Sequence, residues 1–450
     1  MGKLILFFFL INILSVKAFN PDNIFQDDLT LFDSLNINLS GQAHSVRDKE
    51  DFTLFLTDPS QKVSDDFAVP TALMDRVRFW FNVYTKYTSH FSVIHDIDNL
   101  GIIYDVIDFS DVVSNISNRN TRYAIQNKSL KSIIKEYKSS FSSLSKGKCN
   151  TEKCLRILSA LDKAKVKIPK KGRKQFFLNL RNKVRTQTGQ HDHIRQGLVN
   201  IDGYNESIEH LFKVFDLPHE LLAVSFLESS FNIHAESKVG ATGPWQFMRV
   251  IGKHFMKINR NVDQRRSAVL STAAALHLLK QNKKIMKTWD LAVNAYNSGT
   301  GLLRRGVKSL YKKGFKNPRV EHLIDHFQHR NWGFAAKNFY SEFLALVYTL
   351  AYRDEILQQK FNLKDGDLDI YLTKCKLPLV KLISTLKSSK HNILRVNNHL
   401  KRSRATYPKG TVLISDVNLT SRKYLKIPHN KLKSYYPKNL YKLVAKERCR

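Results

Sequence analysis

One acidic residue lies where a sequence rarely places a charge. Glu228 ends the run L-L-A-V-S-F-L, and in a helix it falls on the same side as Leu221, Val224 and Ser225. Apolar neighbours and a position near a helix C-terminus both disfavour the ionised carboxylate, so the pattern predicts a raised pKa. A carboxyl that stays protonated near neutral pH can act as a general acid. On this stretch alone, a capping or ion-pairing role remains open.

The residues that follow add groups typical of sugar binding. The segment G-A-T-G-P-W-Q-F-M has two glycines, which let a backbone approach a ligand closely, and Trp245 to Met248 supply aromatic faces and an amide. Further on, W-D-L-A-V-N-A-Y-N-S-G-T-G predicts a helix that presents Tyr296 and Asn297 before Gly299. Each of these side chains also has a simple packing interpretation in the core.

A second acid is hard to find near Glu228 in the sequence. Ordinary glycosidases use two carboxyls roughly 5–9 Å apart. Glu220 lies about two turns earlier on the helix, and Asp263 and Asp290 lie at predicted helix starts. Glu236 is the one nearby acid that could serve. From the sequence alone, a second carboxyl for Glu228 therefore depends on Glu236.

These motifs together resemble a known family. The string E-S-S-F-N-x-x-A-x-S-K-V-G-A-x-G-x-W-Q-F-M, followed by A-Y-N-x-G, is similar to the soluble lytic transglycosylase domain, in particular the membrane-bound lytic murein transglycosylase D subgroup of the goose-lysozyme-like superfamily. The segments V-D-Q-R-R-S-A-V-L-S-T-A-A-A-L-H-L-L and G-F-A-A-K-N-F-Y-S-E-F-L-A-L extend the resemblance over about residues 216–350. It implies a lysozyme-like α fold that cleaves peptidoglycan.

The resemblance also implies roles for particular residues. Glu228 would be the catalytic acid and base, first protonating the oxygen between N-acetylmuramic acid and N-acetylglucosamine and then deprotonating the muramyl C6 hydroxyl to close a 1,6-anhydro ring. No metal or cofactor is expected. Pro244, His234 and the segment A-A-K-N-F depart from the usual family pattern. The residues implied to bind substrate are Ser237, Gln246, Met248, Tyr296 and Asn297. A lysozyme-type muramidase, or a non-catalytic peptidoglycan-binding protein on the same fold, remains as an alternative.

Composition indicates where the chain acts and what it meets. Residues 1–18 have a charged start, an apolar run shorter than the roughly 20 residues of a membrane span, and V-K-A, the pattern of a signal peptide. We therefore expect a soluble monomer in the periplasm or cell envelope. The formal charge of +34 suits peptidoglycan glycan strands together with an anionic wall polymer or membrane surface, and export disfavours nucleic acid. Cysteines of exported proteins pair, and we expect Cys149–Cys154 and Cys375–Cys449.

The predicted fold is mainly α, with a lysozyme-like α catalytic domain between a mostly helical N-terminal region and a small α+β C-terminal module. Strands are expected at F-S-V-I-H and G-I-I-Y-D-V-I-D-F, and helices elsewhere in the N-terminal region. The C-terminal order of strand, two helices and strand resembles a degenerate, basic LysM module. The expected divisions are a signal peptide at 1–18, a poorly ordered polar lead-in at 19–65, a mostly helical N-terminal domain at 66–200, a lysozyme-like transglycosylase domain at 201–355 and the basic LysM-like module at 365–450.

Overall fold

The computed structural model describes residues 51–361, 368–378, 380, 394–401, 406–419 and 421–449. The predicted signal peptide and most of the lead-in lie outside these residues. Where the lead-in is described, at residues 51–65, the prediction of poor order is wrong. A 3₁₀ turn at Phe52–Thr57 carries Phe55 onto the ring of Tyr352, with centroids 4.6 Å apart, and the Tyr352 hydroxyl donates to Asp58 at 2.5 Å. A few well-placed side chains therefore anchor a segment of polar composition.

The N-terminal region combines helices with a small antiparallel sheet. The two predicted strands are present as β1 (Phe91–Asp96) and β2 (Ile103–Asp108). A third strand, β3 (Val184–Thr188), pairs with the other edge of β1, giving the order β2-β1-β3. The prediction of helices in the rest of this region missed β3, because V-R-T-Q-T is short and carries polar residues between its β-branched ones.

The helices of this region form two groups. Helix α1 (Met74–Thr85) precedes the sheet. The helices between β2 and β3 are α2 (Ser110–Asn115), α3 (Arg119–Ser145), α4 (Glu152–Lys163) and α5 (Arg173–Arg181). They enclose their own core, which includes Tyr137, Phe141 and Phe177, and the predicted Cys149–Cys154 disulfide is present beside it.

The middle of the chain is helical, as the patterns predict. Its helices are α6 (His191–Ile201), α7 (Asn205–Phe215), α8 (Ala223–Ser229), α9 (Arg249–Phe255), α10 (Ala268–Met286), α11 (Trp289–Ser298), α12 (Thr300–Lys312), α13 (Val320–His326), α14 (Phe334–Ala351) and α15 (Arg353–Leu357). Three successive alanines, 273–275, are fully buried in α10, which lets neighbouring helices approach closely. Helix α14 is buried from Asn338 to Thr349, so it runs through the core and carries few positions facing water.

The N-terminal region shares this core. Helix α1 packs along α14, with Val77, Trp80 and Phe81 buried in the same cluster as the helices of the middle region. Arg76 on α1 donates from Nη1 to the Asn338 Oδ1 of α14 at 3.0 Å. The sheet lies against the start of α14, where the ring of His95 on β1 meets the ring of Phe334 with centroids 5.9 Å apart.

The C-terminal region is a second small sheet. Strand β4 (Asp369–Thr373) lies between β7 (Val412–Ser415) and β8 (Tyr424–Ile427), all antiparallel, and β5 (Leu377–Pro378) pairs with β6 (Thr406–Tyr407). A short helix, α16 (Asn430–Ser434), and a 3₁₀ segment (Pro437–Val444) follow.

The comparison with a LysM module is incomplete for this region. Two of its strands are the predicted ones, and β8 is an addition that the sequence reading missed. The first predicted helix falls mostly outside the described residues, as does part of the second, so the LysM-like assignment stays a prediction. The second predicted disulfide, Cys375–Cys449, is present.

Candidate functional site

Glu228 lies near the end of the short helix α8. A 3₁₀ turn at His219–Leu222 leads into the helix. All residues of α8, from Ala223 to Ser229, are buried except Glu228. Glu228 alone on this helix keeps partial access to solvent. Burial among apolar neighbours raises the pKa of the Glu228 carboxyl to about 8. The carboxyl is therefore mostly protonated at neutral pH, as the sequence pattern predicts.

The backbone directly after Glu228 is strained. Ser230 and Phe231 have φ values of 51° and 53°, a left-handed conformation that non-glycine residues rarely adopt. Two backbone bonds, from Ser230 N to Phe226 O at 2.8 Å and from Phe231 N to Ser225 O at 3.2 Å, close the helix end. This sharp end fixes where α8 stops relative to the loop that follows.

The loop that follows, residues 235–247, folds back on itself. The Ser237 amide donates to Ala241 O at 2.9 Å, and the Ser237 hydroxyl accepts from Ala241 N at 3.0 Å. Thr242 bridges both Glu236 and Phe247 in antiparallel fashion. The Ser229 hydroxyl at the end of α8 donates to Pro244 O at 2.9 Å, which ties the loop to the helix that carries Glu228.

A buried arginine, Arg265, binds backbone carbonyls of this loop. Arg265 donates from Nη1 to Gly240 O at 2.8 Å and to Phe247 O at 2.9 Å. Its other nitrogens contact Asp263 at 2.9 Å in a bidentate ion pair. Burial alone would raise the pKa of Asp263, but Arg265 and Lys401 hold that pKa below its ordinary value. Sequence reasoning did not single out Arg265, although it lies in the quoted V-D-Q-R-R segment.

Tyr296 joins the end of α11 to the same loop. Its hydroxyl donates to Trp245 O at 2.7 Å, and its ring lies edge-on to Phe247 with centroids 6.1 Å apart. Burial, together with the negative charge that Glu228 can carry, raises the pKa of the Tyr296 hydroxyl well above its ordinary value. The structure thus brings Tyr296, the loop and Glu228 together around one partly open carboxyl.

Comparison with known proteins agrees with this arrangement. Residues 213–318 match the transglycosylase SLT domain, a stretch that contains α8, the loop and Tyr296. These residues are an SLT domain.

Relatives of the SLT domain carry informative names. The membrane-bound lytic murein transglycosylase D proteins of Escherichia coli strains K12 and O6:H1 (CFT073) are each 39% identical over 101 residues, which is 22% of this chain and 22% of the relative. A protein of Alteromonas sp. (strain M-1), provisionally named for tributyltin chloride resistance, is 34% identical over 110 residues, 24% of this chain and 52% of that protein. The chain therefore spans about a fifth of the Escherichia coli relatives and about half of the Alteromonas relative.

The remaining candidate residues of the SLT domain have different surroundings. Ser237 and Gln246 are partly accessible, and the Gln246 amide donates to Gly243 O at 2.8 Å inside the loop, where its own φ is 45°. Met248 is partly accessible at the start of α9, and Asn297 is half-buried beside Tyr296 on α11. The bonds described for Ser237 and Gln246 run to the loop backbone, so both first of all shape the loop.

The aromatic faces suggested for sugar contact are part of the core. Trp245 is fully buried and donates from Nε1 to the Thr272 hydroxyl at 2.9 Å, and Phe247 is buried against Phe255. The packing interpretation of these two side chains is the correct one. Their backbone carbonyls, by contrast, accept the bonds from Tyr296 and Arg265 that position the loop.

The acids considered as partners of Glu228 are used elsewhere. Glu236 pairs with Arg266 at 2.5 Å, and Glu220 accepts from Ser64 N at 2.9 Å. Asp263 caps a 3₁₀ turn, and Asp290 pairs with Arg319 at 3.1 Å. Among the described residues, no group of three His, Cys, Asp or Glu side chains is arranged to hold a metal ion.

The search along the sequence missed a different acid. Glu342 on α14 is buried, with 3% of its surface exposed, and its charge interacts with that of Glu228. Burial, together with Glu228, raises the pKa of Glu342 to about 8, while Arg185 acts in the opposite direction. A second carboxyl therefore interacts with Glu228, and the role of Glu228 as sole acid and base stays a prediction. Glu342 lies in Y-S-E-F-L-A-L, an acid on an apolar helix, which is the same signal that identified Glu228.

Proposed function

We propose that this chain is a peptidoglycan lytic transglycosylase in which Glu228 is both the catalytic acid and the catalytic base. The observation that carries the proposal is the partly accessible Glu228 carboxyl of the SLT domain, whose pKa burial raises to about 8. Such a group is protonated when substrate binds at neutral pH, and it becomes a carboxylate base once it has given up its proton.

The reaction then needs no water and no second nucleophile. Glu228 protonates the glycosidic oxygen between N-acetylmuramic acid and N-acetylglucosamine, and the bond from C1 to that oxygen breaks. The Glu228 carboxylate next removes the proton of the muramyl C6 hydroxyl, whose oxygen attacks C1. A 1,6-anhydro ring forms, and the proton taken from the C6 hydroxyl returns Glu228 to its protonated state.

The substrate-binding roles belong to the same proposal. The two strained segments, at Ser230–Phe231 and Gln246, hold the loop against Glu228, and functional sites concentrate such strain. Tyr296 closes the other side through Trp245 O. We assign contacts with the glycan to Ser237, Gln246, Met248, Tyr296 and Asn297.

A matched pair of variants tests the assignment of Glu228. Replacing the acid by Glu228→Gln keeps its shape and removes its proton chemistry, so solubilisation of purified peptidoglycan should fall by about 10²–10⁴-fold. Glu236→Gln should keep near-normal activity, because Glu236 is exposed and pairs with Arg266. Full activity in Glu228→Gln would remove Glu228 from the mechanism, and loss of activity in Glu236→Gln would make Glu236 the second acid.

The presence of Glu342 supports one competing function, a lysozyme-type muramidase. Two interacting carboxyls are what a hydrolase uses, one as acid and one to activate water or attack the sugar. Against this, Glu342 is almost completely shielded from solvent, so a sugar or an attacking water reaches Glu228 first. Product ends separate the two functions, because hydrolysis leaves reducing muramyl ends and transglycosylation leaves anhydro ends.

The location and partners follow from composition and remain part of the proposal. Within the described part of the chain, every helix is too short or too polar to span a bilayer. We propose an exported monomer of the periplasm or cell envelope that acts on peptidoglycan glycan strands. From residue 376 onward, 19 Lys or Arg residues stand against Asp416 and Glu447, so the C-terminal module would also hold anionic wall polymer or a membrane surface. Loss of wall binding at high salt tests that attraction.

A further inference from the structure

Glu342 has an arrangement that ordinary packing does not explain. It lies in the middle of α14 with only 3% of its surface exposed, and its Oε2 atom is buried without a hydrogen-bond partner among the described residues. A buried carboxyl oxygen without a partner destabilises a fold. Because a leucine or glutamine would fill the same volume at less cost, the acid itself points to a function.

Glu342 interacts electrostatically with ionisable groups on three other elements. Glu228 on α8 repels its negative charge, and Arg185 on β3 attracts it. Tyr84 on α1 feels the charge of Glu342, which adds to the effect of burial in raising the pKa of the Tyr84 hydroxyl. The charge of Glu228 acts in the same way on Tyr296 of α11. The charges that act on Glu342 are therefore the Glu228 carboxylate and the Arg185 guanidinium.

The cation does not close a simple ion pair with Glu342. The Arg185 guanidinium stacks on the ring of Phe334, with its centre 4.1 Å from the ring centroid. Its Nε atom is buried and lacks a hydrogen-bond partner among the described residues. Arg185 lies opposite His95 in the sheet, and burial, with Arg185 adding to it, lowers the pKa of His95 to about 4. His95 is therefore neutral, and Arg185 is left to balance the carboxyls.

We infer that Glu342 is a positioning residue that shares ionisation with Glu228, with Arg185 of the N-terminal sheet setting the balance between them. The pair carries at most one negative charge near neutral pH, because two carboxylates repel each other in a shielded site. When Glu342 is ionised, Glu228 keeps its proton for the acid step. When Glu228 is ionised after that step, Glu342 is neutral and does not oppose the base step.

This inference rests on the proposed function of Glu228, but its core is a coupling that can be measured without activity. We would label glutamate carboxyl carbons with ¹³C and titrate wild type, Glu342→Gln and Glu228→Gln by NMR. Removing either carboxyl should lower the pKa of the other, and by the same amount in both directions, because a coupling free energy is reciprocal. We expect a decrease of about half a pH unit or more, which is about threefold in the protonated fraction at a fixed pH.

Activity supplies the second measurement. In a plot of kcat/KM against pH, the decrease on the alkaline side reports loss of the proton from the free enzyme's catalytic acid. We call this decrease the alkaline limb. In Glu342→Gln this limb should move to lower pH by the same amount as the NMR titration of Glu228. A role in packing alone would change stability and leave the limb in place. Glu206→Gln, which removes an exposed carboxylate from α7, should leave both the limb and the titrations unchanged.

A third variant, Arg185→Gln, tests the inference independently in case Glu342→Gln does not fold. Arg185→Gln leaves both carboxyls in place and should raise the pKa of Glu342, since it removes the cation that favours the ionised form. An unchanged Glu228 titration in folded Glu342→Gln, or an unchanged Glu342 titration in Arg185→Gln, would overturn the inference. Coupled titrations in a protein without transglycosylase activity would instead keep the coupling and overturn the proposed function.

Discussion

At the scale of single residues, two acids lie in apolar helices, Glu228 on α8 and Glu342 on α14. Glu228 was identifiable from sequence because a carboxyl interrupts an apolar stripe just before a helix end. Glu342 carries the same signal on α14, but a search restricted to acids near Glu228 along the chain does not reach it. Their interaction exists only because α8 packs against α14. Distance in sequence was a poor guide to distance in the site.

Burial of Glu342 should make stability depend on pH. The pKa of Glu342 is about 8 in the folded protein and 4.5 for an ordinary glutamate. Between these values the unfolded chain releases a proton that the folded chain keeps, so folding becomes weaker as pH rises. Because glutamine does not titrate, Glu342→Gln should gain roughly 2–4 kcal/mol of stability relative to wild type on going from pH 4.5 to pH 8.

Urea unfolding of both proteins at the two pH values measures this gain. The comparison uses the difference between variant and wild type, so titrating groups that do not interact with Glu342 cancel. The lower Glu228 pKa expected in the variant changes the difference in the same direction. Glu206→Gln should show no such trend, because Glu206 is exposed. A Glu342→Gln stability difference that is the same at both pH values would contradict the burial of a neutral Glu342.

At the scale of elements, the loop 235–247 is the part of the site that depends most on backbone geometry. Its two glycines have similar φ values, 83° at Gly240 and 79° at Gly243, but different surroundings. A Cβ at Gly240 would meet nothing within 4 Å, whereas a Cβ at Gly243 would lie 1.8 Å from Arg265 O. From the sequence, both glycines were expected to let the backbone approach a ligand closely. At Gly243 the close neighbour is instead the backbone of Arg265.

The two glycines therefore offer a matched pair of alanine variants. Gly240→Ala should lower the free energy of unfolding by about 1–2 kcal/mol, because alanine adopts the left-handed backbone conformation less readily than glycine. Gly243→Ala adds a clash with the backbone that holds the loop, so we expect more than about 3 kcal/mol and a loss of peptidoglycan cleavage at temperatures where the protein stays folded. Thermal unfolding and activity assays on both variants check this. Equal effects of the two substitutions would contradict the described packing against Arg265.

Helices and strands with a clear hydrophobic periodicity were predictable from the sequence. Short strands that form only by pairing with a distant strand were not. The helix at Trp289–Ser298 and the strands β1, β2 and β4 follow from periodicity and from the Gly299 stop. Strands β3 and β8 were missed, because each is short and becomes a strand only beside a partner that comes from another part of the chain. Arg185 lies on β3, so the missed strand also concealed the cation that interacts with Glu342.

At the scale of the whole molecule, the regions on either side of the SLT domain are attached to it through specific contacts. The N-terminal sheet meets α14 through Arg185 and Phe334. At the other end, Asp263 N donates to His399 O at 2.8 Å and Lys401 N donates to Asn261 O at 2.8 Å. Composition indicated a change of region near both boundaries, but no sequence pattern indicated these contacts.

The two disulfides should contribute unequally to the stability of the whole chain. Cys375–Cys449 joins residues 74 apart, and Cys149–Cys154 joins residues 5 apart. Because closing a long loop restricts the unfolded chain more, Cys375→Ser/Cys449→Ser should cost about 4 kcal/mol and Cys149→Ser/Cys154→Ser about 2 kcal/mol. Denaturant unfolding of the two double variants measures the difference, and a larger loss from the short loop would contradict it.

The central claim is that Glu228 performs both proton transfers and that water does not take part. The most direct test is digestion of purified peptidoglycan in water labelled with heavy oxygen, followed by mass spectrometry of the muropeptides. We predict anhydromuramyl ends that carry no heavy oxygen, and no such products from Glu228→Gln. Reducing muramyl ends that carry the label would contradict the account and identify the protein as a hydrolase.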